Sequence, residues 1–132
     1  MKKLFSILGF SVHEEEEVPN QGVKTYFLRL PVSQVNLELL EPIDPESSVE
    51  LFLRKKGPGV HHLSFECQTG QLSQVSQQLK EAGFLLIYDE PRLGAKGMRV
   101  NFIHPRTAGG ILVEVMERSE YSGGEGSLCQ SV

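Results

Sequence analysis

Val113-Glu114-Val115-Met116-Glu117 repeats the pattern of Leu37-Glu38-Leu39-Leu40-Glu41. In a strand, successive side chains point to opposite faces. Glu38 therefore opposes the apolar row Val35, Leu37 and Leu39, and Glu114 opposes Ile111, Val113 and Val115. The likeness extends outward, for Ile7-Leu8-Gly9-Phe10 resembles Glu81-Ala82-Gly83-Phe84. From Gly9 to Glu38 is 29 positions, and from Gly83 to Glu114 is 31. Landmarks that recur at so similar a spacing imply tandem copies of one unit, made of a strand, a helix and three strands. The expected fold is α+β, with two βαβββ modules. His62 lies 21 positions before Gly83, and the matching place in the first copy falls before Met1. The first module is thus expected to lack its opening strand and to begin inside its helix.

The elements follow from periodicity and punctuation. Leu72, Val75, Leu79 and Ala82 recur at helical spacing between Gly70 and Gly83. A second helix is expected after Asp44-Pro45-Glu46, with Asp44 as N-cap and Gly57 closing it behind Lys55 and Lys56. Residues 2–8 read as the tail of a third helix, ended by Gly9. Strands are expected over about 10–17, 23–30, 34–41, 59–67, 84–88, 98–104 and 110–117. Asn20-Gln21-Gly22 and Leu93 to Gly97 read as hairpin loops. Residues 119–132 are rich in Gly and Ser and read as a flexible tail. The expected organisation is one domain over 1–118, with module one about 1–57 and module two about 58–118.

At 132 residues with 39% apolar and 23% charged residues, the chain suits a globular domain rather than a fibrous or disordered one. A net charge of -4, with no Lys/Arg block, argues against nucleic acid as a partner. No run reaches transmembrane length, so no membrane partner is expected. The apolar start runs into His13 and Glu14 to Glu17 without a small-residue cleavage site, unlike a signal peptide. Cys67 and Cys129 have no metal or redox spacing, which fits a reducing cytoplasm.

In His61-His62-Leu63-Ser64-Phe65-Glu66, alternation sets His62 with Ser64 and Glu66 on a polar face, and Leu63, Phe65 and Cys67 toward the core. One imidazole and two carboxylates, from His62, Glu38 and Glu114, form a donor set suited to a divalent metal with open positions. His61 reads as a core histidine, His104 as a turn cap before Pro105, and Arg92 and Arg99 as solvated cations rather than anion partners.

Gly59-Val60-His61-His62-Leu63-Ser64-Phe65-Glu66 resembles the second-module metal segment of methylmalonyl-CoA epimerases. Pro91 to Val100, Phe102-Ile103-His104-Pro105 and Gly109 to Glu114 are similar to their second-module signature. Val18 to Lys24 and Glu38-Leu39-Leu40-Glu41-Pro42 are similar to the first module. The resemblance, over roughly residues 3 to 118, implies the vicinal oxygen chelate (glyoxalase-like) fold of paired βαβββ modules. It implies metal ligation by Glu38, His62 and Glu114, with Glu114 also a catalytic acid/base group. The family's histidine on the first strand has no counterpart here. Asn20 stands where the resemblance implies a glutamate. The implied cofactor is a divalent ion, Co2+ first, with Mn2+, Ni2+, Zn2+ or Mg2+ compatible. The implied activity is epimerisation of the acyl-CoA thioester methylmalonyl-CoA; the alternatives are another glyoxalase-like lyase or isomerase, and a catalytically inactive binding module or truncated product of a longer gene. A homodimer is expected, because a sheet without its first strand exposes an edge.

Overall fold

The computed structural model describes residues 2–29, 35–94 and 97–118. The expected tail at 119–132 lies outside them. The described residues divide into two compact units, one up to Gly59 and one from Val60 onward.

The first unit runs α1 (Lys2–Ile7), β1 (Ser11–Val18), a 3-10 turn (Pro19–Gln21), β2 (Val23–Arg29), β3 (Asn36–Pro42) and α2 (Ser48–Lys56). The three strands form an antiparallel sheet in the order β1-β2-β3. β2 is central, and it is buried on both faces: Val23 and Thr25 on one, Tyr26 and Leu28 on the other. Lys2 places its ammonium 3.1 Å from the centre of the Tyr26 ring. Among the described residues α1 is followed by three strands, and no strand stands ahead of it.

α2 begins later than Asp44-Pro45 suggests. Asp44 Oδ1 instead accepts the Glu46 amide at 2.9 Å, closing a turn. Ser47 becomes the N-cap, its Oγ accepting the Glu50 amide at 3.2 Å. The basic last turn of Arg54, Lys55 and Lys56 complements the helix dipole, and Gly57 follows as read.

The second unit runs β4 (His62–Glu66), α3 (Leu72–Glu81), β5 (Arg92–Leu93), β6 (Met98–Ile103) and β7 (Leu112–Arg118). Its sheet has the order β4-β7-β6-β5, with β4 and β7 parallel and the other pairs antiparallel. This is a complete βαβββ module. α3 lays Leu72, Val75 and Leu79 against Ile103, Val113 and Val115, forming the core of the unit.

Two readings of this half are corrected. Residues 84–88 are not a strand. Leu86 makes a single bridge to Ile103, because the Asn101 side chain takes both backbone bonds of Tyr88, donating to its carbonyl at 3.1 Å and accepting its amide at 3.3 Å. The short strand β5 lies further on and takes in Leu93, the first residue of the expected loop. Leu63 and Phe65 are not core residues, being 44% and 57% exposed. The reason is geometric: α3 lies over β6 and β7, and β4 is the strand at the sheet edge.

Candidate functional site

β4 and β7 set the site. They run parallel with Ser64 opposite Glu114, and His62 opposite Leu112. Directly paired residues share a face, so Ser64 and Glu114 stand side by side, and His62 is one diagonal step away. The other face of β7 carries Val115 into the core beneath α3. The apolar row Val113 and Val115 thus anchors the strand while Glu114 is held on the opposite side, partly buried.

Ser64 Oγ donates to Glu114 Oε2 at 2.6 Å. At that length the bond is of the strong kind in which a hydroxyl meets a charged carboxylate. His62 Nδ1 lies 3.1 Å from His61 Nδ1, with the two rings edge to face. One ring must donate and the other accept across that contact. Burial pushes the His61 imidazole below its usual range, and the neighbouring His62 adds to the effect, so His61 favours its neutral form. When His62 Nδ1 carries the shared proton, its Nε2 presents a bare lone pair, the form a metal ligand needs.

Glu66 shares this face but is engaged by Arg118, whose Nε lies 3.1 Å from its carboxylate. His104 Nδ1 accepts the Arg106 amide at 3.0 Å, which is the turn cap expected. Arg99 does meet an anion, although a structural one: Glu117, at 2.8 Å. Arg92 covers the Tyr88 ring, 4.2 Å from its centre.

Glu38 lies in the first unit. It is exposed, as its opposition to Leu37 and Leu39 requires, and it is aligned across the sheet with Phe27 and Glu14. The structure thus brings His62 and Glu114 together on one face and holds Glu38 on β3. Among the described residues, no three His, Cys, Asp or Glu side chains form a ready cluster for a metal. The donor types nevertheless suit a divalent ion, as one imidazole nitrogen and carboxylate oxygens accept hard or borderline cations. Sequence reasoning set Ser64 on the right face without giving it a partner. That partner depends on the parallel register of β4 with β7, which local periodicity does not encode.

A βαβββ unit with a helix on one face and polar donors on the other defines a class. Residues 1–102 match the family model of the Glyoxalase/Bleomycin resistance protein/Dioxygenase superfamily. The chain belongs to this superfamily and, within it, to the methylmalonyl-CoA epimerase family. It is 41% identical over 112 residues to the uncharacterized protein YqjC of Bacillus subtilis, covering 85% of this chain and 77% of that one. It is 36% identical over 110 residues to an ethylmalonyl-CoA/methylmalonyl-CoA epimerase of Cereibacter sphaeroides, covering 82% and 79%. It matches the mitochondrial methylmalonyl-CoA epimerase of Mus musculus at 36% over 110 residues, 83% of this chain, while spanning only 60% of that protein's length. A Streptomyces coelicolor methylmalonyl-CoA epimerase, solved in complex with 2-nitronate-propionyl-CoA, superposes with a TM-score of 0.74 at 32% identity, over 89% of this chain and 86% of that one.

Proposed function

We propose that this protein epimerises methylmalonyl-CoA at the carbon next to the thioester, with Glu114 moving the proton. The observation that carries the reading is the placement of His62 and Glu114 on one face of adjacent parallel strands, one diagonal step apart. The epimerase relatives supply the substrate class.

Epimerisation breaks the C2–H bond, leaves its electron pair delocalised onto the thioester oxygen, and returns a proton on the other face. Glu114 suits the first step. Its carboxylate is held by one oxygen, and among the described residues its second oxygen, Oε1, accepts no hydrogen bond. An oriented base of this kind contributes typically 10²–10⁴-fold. Within the second unit, His62 through Nε2 and Glu114 are the residues that would hold a divalent metal, and Glu38 is the further ligand that the family resemblance implies. When bound, that ion supplies positive charge beside the thioester oxygen, where negative charge collects. A cytoplasmic location and a homodimer belong to the same reading, and light scattering that returned a monomer would remove the dimer.

The test is deuterium incorporation at C2 of methylmalonyl-CoA in heavy water, with added Co(II) and again with chelator. Metal-dependent wash-in is expected, and Glu114→Gln is expected to lower its rate by about 10²-fold or more. Absence of exchange, beside an active control epimerase, would overturn the reading.

A further inference from the structure

We infer that Ser64 is a positioning residue for the Glu114 carboxylate, fixing which of its two oxygens is presented to the ligand. This rests on the epimerase reading and deepens it.

A glutamate on a strand has three side-chain torsions, and its carboxylate is otherwise free to offer either oxygen. Here the parallel register sets Ser64 directly opposite Glu114, and the short side chain places Oγ 2.6 Å from Oε2. The hydroxyl has one proton to donate, so it engages one oxygen only. Oε2 is thereby occupied, which leaves Oε1 as the oxygen to present to a ligand. The neighbours on either side do not compete for Glu114. His62 Nδ1 faces His61, and Glu66 is paired with Arg118. Ser64 is itself exposed, so the bond is not a by-product of core burial. Its loss removes no apolar contact from the core of Leu72, Ile103 and Val115.

An oriented carboxylate matters in proportion to how narrowly the reaction defines its place. Supporting hydrogen bonds to ligating or reacting carboxylates typically carry 10–100-fold in metal affinity or activity. The experiment compares wild type, Ser64→Ala and Ser64→Thr. Expected for Ser64→Ala is a fall in kcat of about 10-fold or more with KM within about two-fold, and Co(II) affinity lowered by about 10-fold in equilibrium dialysis. Ser64→Thr, which keeps the hydroxyl, should recover most of both. A crystal structure of Ser64→Ala should show the Glu114 carboxylate spread over several rotamers. The proposal is overturned if Ser64→Ala matches wild type in kcat and Co(II) affinity. It is also overturned if Ala and Thr variants fall equally together with their melting temperature, which marks a folding defect. If wild type neither exchanges deuterium nor binds Co(II), the epimerase reading fails. The Glu114 rotamers in Ser64→Ala then still decide whether Ser64 orients it.

Discussion

Glu41 and Glu117 occupy matching places in the two copies of the repeat, yet they live in opposite surroundings. Glu41 is exposed near the end of β3, where it accepts the Tyr26 hydroxyl at 2.8 Å. Glu117 is 1% exposed. Its Oε2 accepts the Leu72 amide at 2.8 Å, and its Oε1 meets Arg99, which also reaches Ser73. The difference follows from neighbours. β7 is flanked by both β4 and β6 and covered by α3, whereas among the described residues β3 pairs with β2 alone. One pentapeptide pattern thus yields a surface acid in one unit and a buried tie between sheet and helix in the other. It also changes how a helix is started. α2 is capped from within its own turn by Ser47, while Gln71 makes no side-chain cap on α3 and Glu117, 45 residues along, takes the first amide instead.

The largest effect should come from breaking the remote cap. Glu117→Ala leaves the Leu72 amide and the inner side of Arg99 without an acceptor. Arg99 is 39% exposed, so its share is screened by solvent, and most of the loss comes from the stranded amide. A loss of about 3 kcal/mol is expected in urea unfolding. Glu41→Ala removes one part-buried hydrogen bond and should cost about 1 kcal/mol. Equal losses would mean that the two copies do not differ in the way their burial implies.

A smaller effect tests how the first unit keeps its cap local. Gly22 ends the 3-10 turn at φ 65°, and its carbonyl accepts the amides of Ile43 and Asp44. A Cβ there would stand 2.6 Å from Asp44 Cβ and 3.0 Å from Ser47 Cβ, pressing on the segment that positions the cap. Gly83, at φ 88°, has nothing within 4 Å of such an atom. Gly22→Ala should therefore cost about 2 kcal/mol or slightly more, and Gly83→Ala about 1 kcal/mol from backbone strain alone. Thermal unfolding of the two variants side by side checks the order.

These contrasts mark what local sequence could and could not say. Alternation along 35–39 and 111–115 was enough to turn Glu38 and Glu114 away from the apolar rows, because period two is a local property. Spacing between the Gly9 and Gly83 landmarks was enough for the module repeat. Burial of Glu117 was not legible, since it depends on where the N-terminus of α3 crosses β7. For the same reason the sequence alone sets Leu63 and Phe65 toward the core: the pattern marks an apolar face, and only the position of α3 decides whether anything covers it. The stretch 84–88 misled because Asn101, a polar residue in the middle of a strand, replaces ladder bonds with its own amide.

The smallest prediction is the sharpest on how the two helices start. Ser47 is buried, and its Oγ accepts the Glu50 amide. Removing a serine N-cap typically costs about 1 kcal/mol, since one of the free amides of the first turn loses its acceptor. Ser47→Ala should destabilise by that amount. Gln71→Ala at the matching place on α3 should stay within about 0.5 kcal/mol, because its side chain caps nothing there. The two helices then respond oppositely to the same test: α2 to its own N-cap residue, α3 only to Glu117. A loss of about 1 kcal/mol in Gln71→Ala, with Ser47→Ala silent, would reverse the assignment of local and remote capping. Combining Glu117→Ala with Gln71→Ala sharpens it further. If Glu117 is the sole cap of α3, the double variant is no less stable than Glu117→Ala alone, whereas a hidden contribution from Gln71 would emerge once the stronger acceptor is gone.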